Sequence, residues 1–131
     1  MFRAKQLSVN LPNERGQLAR LSRCMADAGV NIMAISVHDC AEAGTVRLVV
    51  DDAAGAAAAL GEAGMAFIET DVVVAECPDR VGVLADVAGK LAEKDVNIQF
   101  VYGSTGESEG PTYVVFGCTD LAAAEEVLSA F

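Results

Sequence analysis

The sequence predicts an α+β fold in which one small unit of strands and helices occurs twice. The first observation is an internal repeat, because segment 10–21 returns as segment 76–87 with its proline and glycine at the same spacing. The second is that the peptide Val-Asn-Ile recurs at the same shift of 66 residues. The third is that strand-like and helix-like hydrophobic periods follow each other in the same order in both halves. We therefore expect two tandem domains, at 1–69 and 70–131.

Each copy of the repeat reads as strand, helix, strand, strand, helix. In the first copy, apolar residues alternate with polar ones and then recur at spacings of three and four up to Gly29, which is typical of a strand followed by an amphipathic helix. A hairpin turning at Gly44 follows, and Asp51 or Asp52 caps an alanine-rich second helix. The elements of this copy, with a short fourth strand at its end, are predicted over 6–11, 18–28, 31–39, 45–50, 52–64 and 65–68.

The second copy follows the same order up to its second helix. Its elements are predicted over 72–77, 81–94, 97–103, 112–118 and 120–130. We expect this copy to lack a fourth strand of its own, which would leave its first strand as an unpaired edge unless another segment covers it. The order is that of ferredoxin-like βαββαβ units, with an antiparallel sheet and helices on one face. Neither glycine nor proline occurs in segment 65–76, which indicates a stiff joint between the copies.

Charge and composition exclude several classes of function. The 131 residues carry a formal net charge of −10 and 53% of them are hydrophobic, so the chain can bury a core but would repel nucleic-acid phosphates. No apolar stretch approaches the roughly 20 residues that cross a bilayer, and the first residues lack the pattern of a secretory signal. We therefore expect a cytoplasmic protein that binds neither nucleic acid nor membrane.

The cysteines and the single histidine give little sign of a metal or redox site. Cys24, Cys40, Cys77 and Cys118 form no C-x-x-C pair, and small buried hydrophobes are the simplest interpretation. His38 and Cys40 can point to the same side of one strand, which is only a weak metal signal. We predict neither a metal nor a cofactor.

The repeated turn between the first strand and the first helix is the most informative feature for function. Pro12 and Pro78 cannot donate a ladder hydrogen bond, so they end the first strand of each copy. Gly16 and Gly82 fall at the first helical turn, where backbone amides have no partners inside the helix. A glycine there leaves those amides open to a ligand, and the positive end of the helix suits a carboxylate. The alternative is a plain turn that needs glycine only for its backbone angles.

These turns, taken with the peptide that starts the second strand, closely resemble the motif of the ACT domain, a small-molecule-binding regulatory module. In the first copy the matching residues are Asn13, Gly16, Leu18, Gly29, Val30, Asn31 and Ile32. In the second copy they are Asp79, Gly82, Leu84, Val96, Asn97 and Ile98. The resemblance covers essentially the whole chain, as two ACT domains in tandem.

The resemblance also implies where a ligand binds. ACT domains commonly pair so that the first turn of one unit faces the start of the second strand of the other, and amino acids are their usual ligands. Backbone amides near the glycines would take the carboxylate, and Asn or Asp side chains would accept from the ammonium group. Asp79 replaces Asn13 of the first copy, so the two sites should not be equivalent. The implied ligand-binding residues are Asn13, Arg15, Gly16, Gln17, Leu18, Asn31, Ile32, Asp79, Val81, Gly82, Val83, Leu84, Asn97 and Ile98.

No catalytic machinery is predicted. Acylphosphatases share the ferredoxin-like plan, but their longer glycine-containing phosphate loop ending in arginine is absent, and so is the C-x-x-C of ferredoxin-like copper chaperones. No nucleophile with a histidine and no P-loop occurs either. Two hypotheses remain: a sensor of a free L-amino acid that acts through a protein partner, or an interaction scaffold with the same fold and no ligand.

The outer sheet face of the second copy is predicted to be an interface. Strand alternation places polar residues on this face in the first copy, among them Gln6, whereas the second copy carries apolar and aromatic residues there. Monomers seldom leave such a patch bare, so we expect a homodimer or a docked partner. The alternative is that residues 1–4 or the first copy fold over the patch. The residues that would form the interface are Phe100, Tyr102, Tyr113 and Val115, next to Val72 and Val74.

Overall fold

The structure is a computed structural model that describes residues 1–40, 43–103 and 112–131. The order strand, helix, strand, strand, helix occurs twice, which confirms two ferredoxin-like units in tandem. The elements are β1 Phe2–Pro12, α1 Gln17–Asp27, β2 Ile32–Cys40, β3 Ala43–Val50, α2 Ala53–Glu62, β4 Phe67–Cys77, α3 Val83–Glu93, β5 Ile98–Gly103, β6 Thr112–Cys118 and α4 Leu121–Leu128.

The chain divides into two compact units that do not follow the repeat strictly. The first unit is Lys5–Thr70, and the second unit is Asp71–Phe131 together with Met1–Ala4. The start of β1 is therefore the segment that joins the second copy, in which α4 is the last element. Strand β1 is the hydrogen-bonded neighbour of β4 in the strand order.

In the first unit, β3 lies between β2 and β1, and all of these strands run antiparallel. On the other side of β1, the Asn10 amide donates to the Ala66 carbonyl at 3.2 Å, just before β4 begins. Helices α1 and α2 cover one face of this sheet, and Leu21, Met25 and Leu60 are fully buried against it. Each such side chain contributes roughly 1.5–3 kcal/mol by leaving water.

In the second unit, β6 lies between β4 and β5, again antiparallel. Its core contains Phe116, Leu91 and Leu128, all buried between the sheet and helices α3 and α4. Arg3, from the start of β1, forms an ion pair with Glu125 of α4 within this unit. The same sheet-and-helix layer is thus built twice from different core side chains.

Two local predictions were wrong. Strand β4 is one strand of 11 residues, not a short strand over 65–68 followed by a separate one over 72–77. The absence of glycine and proline explains the continuity, because nothing interrupts the extended backbone there. Gly44 lies inside β3, paired with Leu11, so it is not at the hairpin turn. Residues 41–42 between β2 and β3 lie outside the described residues.

Capping residues agree with the predicted start of the second helix in each copy. Asp52, not Asp51, caps α2, since its side chain accepts a hydrogen bond from the Gly55 amide at 3.0 Å. Asp120 caps α4 in the same way through the Ala123 amide at 3.0 Å. In the described part of the chain, no helix is both long enough and apolar enough to cross a membrane.

Candidate functional site

The two strand-to-helix turns have the same backbone conformation. Gly16 and Gly82 are the N-cap residues of α1 and α3, with φ of 87° and 89° in the left-handed region. A residue with a β-carbon adopts this conformation only with strain, so backbone angles alone require glycine at both positions. Neither helix has a side chain that caps its first turn.

The space above both turns is open. A β-carbon built on Gly16 would meet no atom within 4 Å, and one on Gly82 would approach only the Arg80 side chain, at 3.9 Å. The first amides of a helix have no partners inside it, and they carry the positive end of the helix dipole. These turns can therefore accept an anionic group from solvent.

Arg80 is a residue of the second turn that sequence reasoning missed. Its guanidinium lies 2.6 Å from a carboxylate oxygen of Asp86 and also donates to the Val81 carbonyl at 3.3 Å. The pair is half exposed, so it adds at most about 1 kcal/mol to stability, but it ties the turn to α3. The first copy has Glu14 at the equivalent position. In the second copy, the opposite charges of Arg80 and Asp86, six residues apart, were the sequence signal for this ion pair.

The predicted site residues around the turns are mostly accessible. Those that are exposed are Asn13, Arg15, Gly16, Leu18, Asp79, Val81, Gly82 and Leu84. Gln17 and Val83, at the first position of their helices, are half-buried. The Gln17 side-chain oxygen is buried and has no hydrogen-bond partner in the described part of the chain.

The predicted asparagines are held by their backbones at the start of β2 and β5. The Asn31 amide donates to the Asp51 carboxylate at 2.9 Å, and the Asp51 amide donates back to the Asn31 carbonyl at 3.1 Å. Asn97 makes the equivalent pair with Thr119, at 3.1 Å in both directions. The neighbouring Ile32 and Ile98 are half-buried and pack against their cores.

No single unit brings a turn and an asparagine together. Helix α1 has 11 residues, and a helix rises 1.5 Å per residue, so Gly16 and Asn31 stand at ends roughly 16 Å apart. The same holds for Gly82 and Asn97 around α3. The partnership of each turn with the asparagine of the other copy stays a prediction.

The second unit contains an apolar cavity next to its turn, which sequence reasoning also missed. Its volume is about 320 Å³, and its lining includes Cys77, Asp79, Val83, Leu84, Val101 and Val114. Burial raises the pKa of the Cys77 thiol, so this lining group is uncharged at neutral pH. The signal in the sequence was a pair of small residues, Cys77 and Gly103, where the first copy has leucine and valine.

The predicted outer-face patch of the second copy is smaller than the sequence indicated. Val115 is 0% exposed, and Val72 and Val74 are also buried, so these three residues present no surface to a partner. The Phe100 and Tyr102 rings stack with their centroids 6.4 Å apart. A side chain at position 117 would overlap the Phe100 ring, which shows that this ring lies over Gly117.

Two further surface predictions can be placed. Gln6, predicted to face water, is 1% exposed, and its amide nitrogen lies 3.4 Å from the Ser8 hydroxyl and 3.5 Å from the Thr70 hydroxyl. Burial of a polar side chain needs such partners, which alternation alone does not indicate. His38 is hydrogen-bonded to Ser36 at 3.1 Å, and the Cys40 side chain lies outside the described residues.

The chain thus contains two tandem ferredoxin-like units, each with an open glycine turn and a buried core. The chain belongs to the ACT domain pair family, whose model matches residues 2–129. The resemblance noted in the sequence is thereby confirmed. ACT domain pairs are regulatory and are not catalytic in themselves.

Solved structures agree with this family. The chain is similar to protein BT0572 from Bacteroides thetaiotaomicron, with 32% identity, a TM-score of 0.89, and coverage of 98% of this chain and 88% of that one. The ligand-free regulatory subunit of aspartate kinase from Thermus thermophilus shares the fold, with 20% identity, a TM-score of 0.69, and coverage of 98% and 89%. The corresponding subunit from Thermus flavus does so at 21% identity and a TM-score of 0.64, with the same coverage. A search among curated proteins found no match.

Proposed function

We propose that this chain is a non-catalytic regulatory protein that senses a free L-amino acid. The observation that carries the proposal is the open glycine turn, present twice within a chain that the ACT domain pair family covers almost completely. Similar solved structures include regulatory subunits of aspartate kinase, which supports a regulatory role. We place the protein in the cytoplasm, where free amino acids are available to it.

The chemistry of the turns suits the two charged ends of an amino acid. Amides at the start of α1 or α3 would donate to the carboxylate, because these amides lack side-chain caps. Asn13 or Asp79, the residue directly after the proline in each turn, would accept from the ammonium group. The aspartate adds a negative charge that the asparagine lacks, so we expect unequal affinities at the two turns.

The scaffold hypothesis makes a different prediction about ligands. A scaffold would use the same fold with empty turns and would act only through protein partners. The test is a thermal-shift screen of the twenty L-amino acids at millimolar concentration, followed by calorimetry of any that raise the melting temperature. A ligand at a hundredfold its dissociation constant should stabilise the folded chain by about 2.7 kcal/mol. If none of them raises the melting temperature or gives heat, the scaffold hypothesis replaces the sensor.

A sensor regulates a target, and one candidate target is a second copy of this chain. We propose a homodimer through the aromatic residues that remain accessible on the second unit, namely Phe100, Tyr102 and Tyr113, without the buried Val115. Tyr113 is 37% exposed and the other two rings are half-buried, so a partner could still cover apolar area there.

A further inference from the structure

We propose that the apolar cavity of the second unit receives the side chain of an aliphatic L-amino acid such as leucine. This inference rests on the proposed function and names the class of its ligand. The cavity lies between the start of α3 and strands β5 and β6, beside the open turn at Gly82. A ligand whose charged end meets the turn therefore has an apolar space next to it.

The lining favours an aliphatic group. Leu84 and Val101 are 53% and 40% exposed, although both are apolar, and they line the cavity together with Val83 and Val114. Ordinary packing would bury such side chains, and a ligand that fills the space would do so. A charged side chain placed there would lose its hydration without gaining a partner.

The size of the cavity suits a small molecule. Its volume of about 320 Å³ is at the lower end of the range of small-ligand sites. A partner helix laid in a groove needs several anchors along its length. A free amino acid needs only one apolar space for its side chain. We therefore propose a free amino acid, and not a partner helix, as the occupant of the cavity.

Asp79 supplies the charge that an amino acid requires. It is exposed and lines the cavity, so its carboxylate can meet an ammonium group at the mouth. The same carboxylate repels an acidic side chain. We therefore expect leucine, isoleucine and valine to bind better than aspartate or glutamate.

The first copy has different residues at the equivalent positions. Leu11 replaces Cys77, Gln17 replaces Val83 and Val37 replaces Gly103. The larger Leu11 and Val37 would occupy space that Cys77 and Gly103 leave free. The buried Gln17 oxygen would place an amide against an aliphatic ligand. The aliphatic site is thus specific to the second unit.

The experiment is calorimetry of the full chain with L-leucine, L-isoleucine, L-valine, L-aspartate and L-lysine. We expect the three aliphatic amino acids to bind at least tenfold more tightly than the two charged ones. The variant Cys77→Leu copies Leu11 into the cavity and should weaken leucine binding at least tenfold. Cys118→Val is the matched control, because Cys118 is a buried cysteine outside the cavity lining and the first copy carries Val50 there. It should change leucine affinity by less than twofold.

A second measurement on the wild-type chain covers the case in which Cys77→Leu fails to fold. Methyl-resolved NMR should show leucine-dependent shifts at Val83, Leu84, Val101 and Val114, and none at Leu18 of the first turn. The contrary outcome is that these signals shift with protein concentration but do not change when leucine is added. A second copy of the chain would then fill the cavity, and the inference would be overturned.

The failure of this inference can be separated from that of the proposed function. If a polar or charged amino acid binds and L-leucine does not, the aliphatic site is wrong while the sensor stands. If the Cys77→Leu variant folds and binds leucine as tightly as the wild type, the aliphatic site is also wrong while the sensor stands. If none of the twenty amino acids binds, both the sensor and the aliphatic site are wrong.

Discussion

Gly16 and Gly82 meet a structural requirement and also leave open space for the proposed ligand. Their φ values of 87° and 89° need glycine whether or not a ligand binds. The open space above them is a separate property, which a turn without a ligand does not need. A substitution at these positions therefore has two measurable consequences, one for stability and one for binding.

Gly16→Val should destabilise the chain and weaken amino-acid binding at the first turn. A β-branched side chain in the left-handed region costs roughly 1–2 kcal/mol, and each lost charge-assisted hydrogen bond costs roughly 1.5–3 kcal/mol of binding free energy. Urea unfolding and calorimetry measure the two effects, and Gly82→Val tests the second turn. Gly61→Val is the control, since Gly61 lies in α2 with open space around it and without a positive φ. Full affinity at both turns in the two turn variants would place the ligand elsewhere.

The buried cysteines predict a loss of stability at alkaline pH. Burial raises the pKa of both Cys77 and Cys118 above the usual value of 9.0. The folded chain then keeps these protons at pH values where the unfolded chain has lost them, so the free energy of unfolding falls as pH rises beyond about 9. Urea unfolding at pH 8 and pH 10 should show a smaller fall in a Cys77→Ala/Cys118→Ala variant than in the wild type. Equal slopes would contradict the role of these thiols.

At the scale of elements, the two copies end their first helices differently. Gly29 follows α1 with φ of 70°, and Asp95 occupies the equivalent position after α3 with φ of 56°. Asp95 is the only described residue other than glycine with a positive φ. The second copy thus keeps the turn but forces a less suitable residue into it.

Asp95→Gly should stabilise the chain by roughly 1 kcal/mol, because glycine adopts the left-handed conformation without the strain of a β-carbon. The reciprocal change, Gly29→Asp, should destabilise it by a similar amount. Urea unfolding of both variants against the wild type measures the difference. If both variants unfold with the same free energy as the wild type, the turn carries no strain in either copy.

At the scale of the whole molecule, accessible apolar side chains occur in both units. In the second unit they include Phe100 and Tyr113, on the face where the sequence predicted an interface. In the first unit, Ile35 and Val37 of the edge strand β2 are 43% and 55% exposed. Exposed edge strands and apolar patches are both places where chains associate. The structure therefore offers a second surface against which the predicted interface can be tested.

Phe100→Ser/Tyr113→Ser should reduce the mass in solution from that of a dimer to that of a single 13.6 kDa chain. Loss of aromatic area at an interface removes much of its binding energy. Multi-angle light scattering at several concentrations measures the mass. The matched control is Ile35→Ser/Val37→Ser, which should remain dimeric. If the control variant dissociates instead, the dimer interface lies at β2. If the wild type is monomeric, the predicted interface can bind only a different protein.

The sequence by itself determined the duplicated unit, the order of its elements and the glycine turns. These features depend on local chemistry, since periodicity, proline, glycine and capping residues act within a few positions of one another. For the same reason the motif residues from Asn13 to Leu18 and from Asp79 to Leu84 could be recognised without coordinates. The sequence also limited the cap of α2 to Asp51 or Asp52, and the structure chose Asp52.

Only the tertiary structure decided which side chains are buried and where space remains. Alternation along a strand assigned Gln6 and Val115 to an outer face, but both are buried. The cavity beside Asp79 exists because Cys77 and Gly103, far apart in the sequence, are both small and line the same space. Burial and empty volume depend on side chains that come together from distant positions, and a pattern read along one segment does not contain that information.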